Sequence, residues 1–279
     1  MTPCAAGERA RSPAGRQRAT TRHASLIDSA IFGIFAALLV VLVLRGASAM
    51  DYTWQWSRLA PYLIRVVDDE IIAGSLLKGM LVTLQVAGIA GLLTLPLGLL
   101  VALLKLSDSI VGRLLASAYV ELIRNTPLLL QILIVYFIIG RIFGIPRLWC
   151  GILTLSFYEA TFAAEIIRGA IVSVARGQWE ASRALGLGSY DTYRSVVLPQ
   201  ALPLMVPPMT GVMVNLVKHS SIVSVIAIFD LTNEARTIAA DTFMSFEVWL
   251  AVAALYLSVT ITLSAGAGWL ERRLALASR

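Results

Sequence analysis

The sequence predicts an all-α, polytopic membrane helix bundle, and two bulk properties carry that prediction. Hydrophobic residues make up 58% of the 279 residues, and the mean hydropathy is +0.79. Charged residues make up only 14%, whereas soluble domains carry about 25%. The net charge of +6 does not indicate a nucleic-acid partner, because membrane proteins collect Lys and Arg in cytoplasmic loops and an aromatic-interleaved basic surface is absent.

Six apolar segments approach or exceed the length of about 20 residues that a membrane span requires. The predicted spans are Leu26–Leu44, Met80–Leu104 with an amphipathic lead-in from Ile71, Leu114–Gly140, Leu148–Val172, Leu202–Ile228 and Val248–Leu270. The termini and the segments between spans lie on alternating sides of the membrane, and they carry fourteen basic residues on one side and six on the other. Since cytoplasmic loops carry the excess of Lys and Arg, we expect both termini and the loop 173–200 in the cytoplasm.

The chain before the second predicted span divides into three parts. Residues 1–25 read as a basic cytoplasmic leader, 26–44 as a transmembrane helix and 45–70 as an external loop. Ala47-Ser48-Ala49 leaves a second interpretation open, a signal peptide with a small-residue cleavage site. We favour an uncleaved helix, because the apolar stretch exceeds the roughly 7–15 residues of a signal-peptide core. The chain ends in a short cytoplasmic tail, 274–279.

The loop 173–200 is a polar, charged segment between long apolar ones, so we expect it to fold outside the lipid as a docking site. Gln178 to Leu185 favour a helix that Gly186 ends in the left-handed conformation. Ser189 can cap a second helix, Tyr190 to Val197, which Pro199 then stops. The side chains expected to face a partner's groove are Trp179, Ala181 and Leu185, and the small residues expected to allow its close approach are Ala181, Ser182 and Ala184. The alternative is an amphipathic loop lying on the bilayer.

Ionisable residues inside spans are costly, so they pair with each other or line a cavity. Glu121 with Arg124, and Glu165 with Arg168, are three residues apart and therefore share a helix face. We interpret these four as structural ion pairs that hold neighbouring helices together.

A second group of polar residues falls nearer the middle of the predicted spans. A zwitterionic amino acid needs an acceptor for its ammonium group and donors for its carboxylate, which Glu159 with Lys218, Ser220 and Ser221 can supply. Further polar candidates for the same pathway are Asn125, Thr126, Gln131, Asn215 and His219. His219 is also open to interpretation as a helix-contact residue. The two histidines, His23 and His219, are too far apart in the sequence to predict a metal site.

The sequence lacks the motifs of enzymes, which are one alternative class of function. No Gly-x-Ser-x-Gly, His-Glu-x-x-His or Gly-x-x-x-x-Gly-Lys-(Ser/Thr) pattern occurs, so we expect no enzyme activity and no ATP hydrolysis by this chain. A secondary transporter or channel remains the alternative. Such proteins often consist of two related halves, into which six spans with one large cytoplasmic loop do not divide.

Several motifs resemble those of one transporter family. Glu180, Ala181 and Ser182 are followed after three residues by Gly186, then by Val196, Leu198 and Pro199. This spacing is similar to the loop by which ABC importer permeases contact their ATPase. Further stretches resemble signatures of the polar amino-acid uptake permeases: Tyr119–Gln131, Phe162–Ile171, Pro199–Leu202, Leu216–Ser221 and Leu270–Arg273.

The resemblance covers roughly residues 71–273 and implies a five-span permease core preceded by one extra N-terminal span. It implies a bacterial inner-membrane importer with a second permease subunit, identical or paralogous, and an external solute-binding protein that delivers an amino acid. It also implies a cytoplasmic ATPase dimer that holds ATP and Mg, with no cofactor on this chain. The residues that would contact the ATPase are Gln178, Trp179, Glu180, Ala181, Ser182, Leu185, Gly186, Leu198 and Pro199. The binding protein would dock on loops 45–70 and 229–246, which carry Asp51, Asp68, Asp69, Asp230 and Asp241.

Overall fold

The computed structural model describes residues 31–42, 44–46 and 52–277, with side chains described as far as Trp269. The chain divides into two compact units, Met1–Trp54 and Gln55–Arg279. In the first unit, residues 31–42 and 44–46 are helical (α1), in agreement with the predicted N-terminal helix. The leader over 1–25, the beginning of the span Leu26–Leu44 and the possible cleavage site at residues 47–49 lie outside the described residues.

The second unit is a bundle of helices with one short hairpin. Its elements in chain order are α2 (Trp56–Leu63), β1 (Ile64–Val67), β2 (Glu70–Ala73), α3 (Ser75–Leu106), α4 (Ile110–Arg124), α5 (Leu128–Phe143, with a π turn at Val135–Ile139), α6 (Arg147–Val172), α7 (Arg176–Ala184), α8 (Ser189–Ile226, with a π turn at Tyr193–Val197 and a 3₁₀ end from Ser220), α9 (Leu231–Thr242) and α10 (Ser245–Ala277).

Four of these helices, α3, α6, α8 and α10, are long and apolar enough to cross a membrane. They confirm the predicted spans that begin at Met80, Leu148, Leu202 and Val248. The predicted span Leu114–Gly140 consists of two separate helices, α4 and α5, bent by 104°, which is the geometry of a broken span or a re-entrant loop. Pro127 explains the break, since proline lacks the N–H that would continue the α4 ladder and its ring disfavours helical geometry in Thr126.

The hairpin was not predicted, since residues 45–70 read as a loop and Ile71 as the start of a helical lead-in. β1 and β2 pair antiparallel with Arg65 opposite Ile72 and Val66 opposite Ile71. Asp68 and Asp69 form a two-residue turn with φ of 51° and 62°. Positive φ at both positions is the type I′ geometry that matches the twist of a hairpin. Helix α3 therefore begins at Ser75 rather than near Ile71.

Close packing of α3 against α6 forms the centre of the bundle. A Cβ at Gly98 would lie 2.7 Å from the Cβ of Ala163 and 3.3 Å from the carbonyl oxygen of Ala160, so only glycine permits this approach. Two turns away, the Ser156 hydroxyl donates to the carbonyl of Ala90 at 3.3 Å and to its own helix at Ile152 at 2.7 Å. The two helices thus form a closely packed pair on which the other elements assemble.

Candidate functional site

The segment 173–200 folds as a short helix, a tight turn and the beginning of a long helix. Helix α7 ends at Ala184, and Gly186 has φ of +72°. The Gly186 N–H donates to the Arg183 carbonyl at 2.9 Å and the Leu187 N–H to the Ser182 carbonyl at 3.1 Å. These two bonds form a Schellman motif, which confirms the left-handed helix end predicted at Gly186.

The second helix of the segment differs from the prediction at both ends. Gly188, and not Ser189, precedes its first residue, and no side chain caps it. Pro199 does not stop it, because the helix continues without interruption to Ile226. A π turn over Tyr193–Val197 lies directly before Pro199. A locally wider turn relieves the clash between a proline ring and the carbonyl four residues earlier, so the loop passes directly into a membrane span.

The face of α7 that remains accessible is smaller than predicted. Trp179 is half-buried and packs edge to face on Tyr193, with ring centroids 5.4 Å apart. Ser182 is buried within the chain, where its hydroxyl donates to the Gln178 carbonyl at 2.7 Å. Trp179 therefore joins α7 to α8 while still lining the groove beside α7, whereas Ser182 is turned into the chain. The predicted contact residues that remain exposed are Gln178, Glu180, Ala181, Leu185, Gly186 and Pro199.

A groove of about 460 Å³ runs beside this accessible face. Its lining combines apolar side chains, including Leu106 and Val174, with the charged groups of Arg176, Glu180 and Arg183. Leu185 is 79% exposed at the end of the same helix. An exposed leucine beside a groove of mixed polarity is suited to contact with another protein, because a partner can bury the apolar surface while the charges fix its orientation.

A carboxylate buried in the centre of the bundle has a histidine as its partner. Glu159 on α6 is 1% exposed, and its Oε1 lies 2.6 Å from His219 Nδ1 on α8. The His219 ring packs edge to face on Tyr158 at 5.6 Å between centroids. The side chain of His219 remains 34% exposed, so the pair is accessible from one side only. The structure thus brings together two of the predicted pathway residues.

The other pathway candidates on α8 fall into two groups. Asn215 and Lys218 are both exposed, and Asn215, four residues before His219, lies on the same helix face as that residue, whereas the adjacent Lys218 points to a different side. Ser220 and Ser221 instead donate to the carbonyls of Val217 and Lys218, each at 2.7 Å. Both hydroxyl protons are used within the helix here, and the role of these two serines as carboxylate donors stays a prediction.

Asn125, Thr126 and Gln131 stabilise the break between α4 and α5. The Thr126 hydroxyl donates to the Leu122 carbonyl at 2.9 Å, and the Gln131 amide donates to the Ile123 carbonyl and to the Thr126 hydroxyl, both at 2.7 Å. These bonds satisfy carbonyls that the interrupted helix leaves free. These bonds give Thr126 and Gln131 a structural function, but both also line a cavity of about 520 Å³ and Asn125 is exposed, so their place in the pathway stays a prediction.

One of the two predicted ion pairs is formed. Arg168 Nε donates to Glu165 at 3.0 Å, and the sequence reading missed a second partner, Lys105 at the end of α3, which also contacts Glu165. The predicted pair between Glu121 and Arg124 is wrong. Glu121 instead accepts from the Asn125 amide at 2.9 Å, while Arg124 lies 4.8 Å above the Phe162 ring.

On the face opposite the segment 173–200, Asp230 is buried and cannot serve the predicted docking surface. Its carboxylate caps α9 by accepting from the N–H groups of Asn233 at 3.0 Å and Thr232 at 3.3 Å. Burial raises its pKa to about 6 despite these bonds. Asp68, Asp69 and Asp241 are exposed, and Asp51 lies outside the described residues. In the part of the chain that the structure describes, no three His, Cys, Asp or Glu side chains cluster as metal ligands would.

Comparison with known proteins identifies the family. Residues 94–276 match the family described as "Binding-protein-dependent transport system inner membrane component". The "Probable glutamine ABC transporter permease protein GlnM" of Bacillus subtilis is 38% identical over 64% of this chain and 83% of its own length. The "Glutamine transport system permease protein GlnP" of Escherichia coli is 34% identical over 72% of this chain and 93% of its own length.

Chains of two solved ABC transporter structures also resemble this chain. A "crystal structure of an amino acid ABC transporter with histidines" contains a chain that is 36% identical, with a TM-score of 0.66, over 71% of this chain and 94% of that one. A chain of the MetNI methionine ABC transporter, 24% identical with a TM-score of 0.64, covers 72% of this chain and 96% of its own, and supports the fold.

Proposed function

We propose a substrate and an assembly for this chain on the premise that it belongs to the family of binding-protein-dependent transport system inner membrane components. The chain is a membrane-embedded permease subunit of an ATP-driven importer for polar amino acids, and it is not itself an enzyme. The substrate we propose is glutamine, which the names of two relatives carry. The alternative of a transporter that is not driven by ATP finds no support among the relatives.

The proposed assembly contains this permease, a second permease subunit, a dimer of cytoplasmic ATPases that hold ATP and Mg, and a binding protein on the opposite face. Its location is the bacterial inner membrane, with both termini of this chain in the cytoplasm. The observation that carries the proposal is the exposed surface of α7 and its groove, formed by Gln178, Glu180, Ala181, Leu185 and Arg183. The excess of Lys and Arg on the same side supports its cytoplasmic location.

The proposed coupling runs through α7 into two spans. Trp179 on α7 packs against Tyr193, which belongs to the helix that continues as span α8. The groove beside α7 is also lined by Leu106 at the end of α3 and Ile171 at the end of α6. A movement of the ATPase surface against α7 is therefore transmitted to α8 directly, and the π turn before Pro199 is the place where that helix can bend.

The proposed substrate contact is the accessible side of the Glu159–His219 pair, extended along α8 by Asn215 and Lys218. An imidazole whose Nδ1 is engaged by a carboxylate presents its other nitrogen to a ligand in a fixed orientation. Lys218 supplies a positive charge for a carboxylate, and Asn215 supplies amide groups that match those of glutamine.

The test is uptake of radiolabelled glutamine into proteoliposomes that contain the complete complex, with ATP enclosed and loaded binding protein outside. We expect uptake that depends on ATP hydrolysis and persists when ion gradients are collapsed. Uptake by this chain alone, driven by an ion gradient without ATPase subunits, would contradict the proposal. A panel of other amino acids tests the substrate, since preference for a different one overturns glutamine while leaving the importer intact.

A further inference from the structure

A small cavity lies where the hairpin meets the beginning of α3. It has a volume of about 280 Å³ and is lined by Arg65, Ile72, Ala73, Gly74, Ser75 and Lys78. Drug-sized ligands occupy cavities of about 300–1,000 Å³, so this one is suited to a smaller group. It is separate from the Glu159–His219 pair and from the groove beside α7, neither of which shares a lining residue with it.

The groups around this cavity are donors of hydrogen bonds. Helix α3 has 32 residues, and its N-cap, Gly74, has no side chain to accept from the first turn. The first three N–H groups, from Ser75 to Leu77, therefore have no partner within the helix, and the helix dipole adds partial positive charge there. Arg65 and Lys78 add two cationic side chains, and neither belongs to an ion pair among the described residues.

An unpartnered hydroxyl gives independent support for a missing ligand. Ser75 Oγ is buried and has no hydrogen-bond partner, and it is the only side-chain nitrogen or oxygen of the described residues in that state. A buried hydroxyl without a hydrogen-bond partner is unfavourable, because it has lost its bonds to water. Ser75 lines the cavity, so a group bound there can supply the missing acceptor. A phosphate provides several acceptor oxygens, which suits a hydroxyl, backbone N–H groups and two cations together.

The depth of the cavity in the membrane identifies the source of the phosphate. At 1.5 Å per residue, a helix of 32 residues is about 48 Å long, which exceeds the roughly 30 Å of hydrocarbon and matches the bilayer with its headgroups. Ser75 and Lys78 lie in the first turn, so this geometry places them at headgroup level. The adjoining hairpin has one face formed by Ile64, Val66 and Ile71, which are 53%, 66% and 78% exposed. An apolar face beside a cationic cavity matches the boundary between headgroups and acyl chains.

We infer that the cavity formed by Arg65, Ser75 and Lys78 at the beginning of α3 binds the phosphate of a phospholipid headgroup. The bound phosphate accepts from Ser75 and from the free N–H groups of α3, while Arg65 clamps it from the hairpin. The other charged group near Lys78 is Glu234 of α9, whose carboxylate is close enough to interact with the ammonium but not within 4.0 Å of it. The lipid would thereby hold the hairpin on α3. The inference does not depend on the substrate or on which membrane face the cavity occupies.

The experiment uses the complete complex, purified and delipidated in detergent, with thermal unfolding as the measurement. The probes are dihexanoyl phosphatidylglycerol and, separately, inorganic phosphate at the same concentration. We expect the short-chain lipid to raise the melting temperature of the wild type, and the Arg65→Gln/Lys78→Gln variant to need about tenfold more of it or to lose the effect. Ser75→Ala is expected to weaken the effect less, because it leaves both cations in place.

Matched controls and a second readout keep the test decisive. Arg141→Gln removes an exposed cation from the end of α5, away from the cavity, and we expect it to behave as the wild type. Native mass spectrometry should show one phospholipid more per permease chain in the wild type than in the double variant. Equal stabilisation by inorganic phosphate with no lipid retained would overturn the lipid assignment. Lipid binding by the double variant that equals wild-type binding would overturn the site. This holds whatever the affinity of the variant complex for the solute-binding protein.

Discussion

At the scale of single residues, the buried Glu159–His219 pair is the feature whose chemistry mutagenesis can test most directly. The sequence placed both residues near the middle of their spans, but sixty positions of separation hide the contact between them. Residue types and depth therefore selected both side chains as pathway candidates, which they remain, whereas their pairing became visible only with the helix packing. The same limit explains why the sequence did not predict the contact of Lys105 with Glu165, which joins α3 to α6.

His219→Leu leaves the Glu159 carboxylate buried without its partner, so we expect it to destabilise the complex by about 3–5 kcal/mol and to reduce glutamine uptake strongly. His219→Gln keeps a hydrogen-bond donor and is expected to retain most of the stability while changing the preference among amino acids. Thermal unfolding and uptake kinetics with a panel of substrates measure the two effects. Wild-type stability and selectivity in both variants would exclude this pair from the pathway.

Asp230 predicts a pH dependence of stability. Its pKa of about 6 in the folded chain lies above the ordinary value of 3.8, so the folded state binds the proton more tightly than the unfolded state. The stabilisation is present below pH 3.8 and is lost as the pH rises through about 6. Burial also raises the pKa of Glu234, which acts in the same direction.

Asp230→Asn keeps a capping oxygen and removes the titration, so the fall in melting temperature between pH 4 and pH 6.5 should become shallower. The Asp241→Asn variant, at an exposed position of the same helix, serves as the control and should follow the wild-type curve. Parallel curves for Asp230→Asn and the wild type would show that Asp230 does not titrate in this range.

At the scale of elements, local turn chemistry was predictable wherever one residue type determines the conformation. Gly186 satisfied that condition and was predicted correctly, whereas Pro199 was misjudged because a π turn accommodates it. The hairpin escaped prediction because its turn is Asp68-Asp69, without the glycine that usually marks a type I′ turn. Pro127 marks the break between α4 and α5, but the Thr126 and Gln131 hydrogen bonds that stabilise this break became visible only in the structure.

Gly98 tests the contact between α3 and α6. Gly98→Ala forces a Cβ to within 2.7 Å of Ala163, and both neighbours belong to helix cores, so we expect a loss of about 1–3 kcal/mol. Gly88→Ala, in the same helix with open space around it, should be neutral or slightly stabilising. Equal melting temperatures of the two variants would contradict the packing described for this helix pair.

Gly186 tests the turn after α7. Gly186→Val places a β-branched residue at φ of +72°, which is unfavourable by at least about 1–2 kcal/mol and should displace the end of α7. We expect the complex to assemble in the membrane but to lose glutamine uptake. Gly188→Val, at an ordinary φ with open space, is the matched control. Normal uptake by the Gly186→Val complex in proteoliposomes would remove this turn from the coupling path.

At the scale of the whole molecule, the fold class followed from composition and from the length of the apolar segments, which are direct consequences of burial in lipid. The polar segment 173–200 was located by its composition, but its detailed surface was not, because the burial of Ser182 and the packing of Trp179 on Tyr193 appear only once α8 is in place. The account therefore depends on a few exposed residues of α7, with Glu180 at their centre.

The most direct test of this account compares Glu180→Lys with Asp191→Lys in the reconstituted complex. Both variants reverse an exposed acidic residue of the segment 173–200, but only Glu180 lies on α7 beside the groove. The measurement is ATP hydrolysis stimulated by loaded binding protein, recorded together with glutamine uptake. The account predicts that Glu180→Lys loses both activities while Asp191→Lys retains them. Wild-type stimulation and uptake in the Glu180→Lys complex would contradict it.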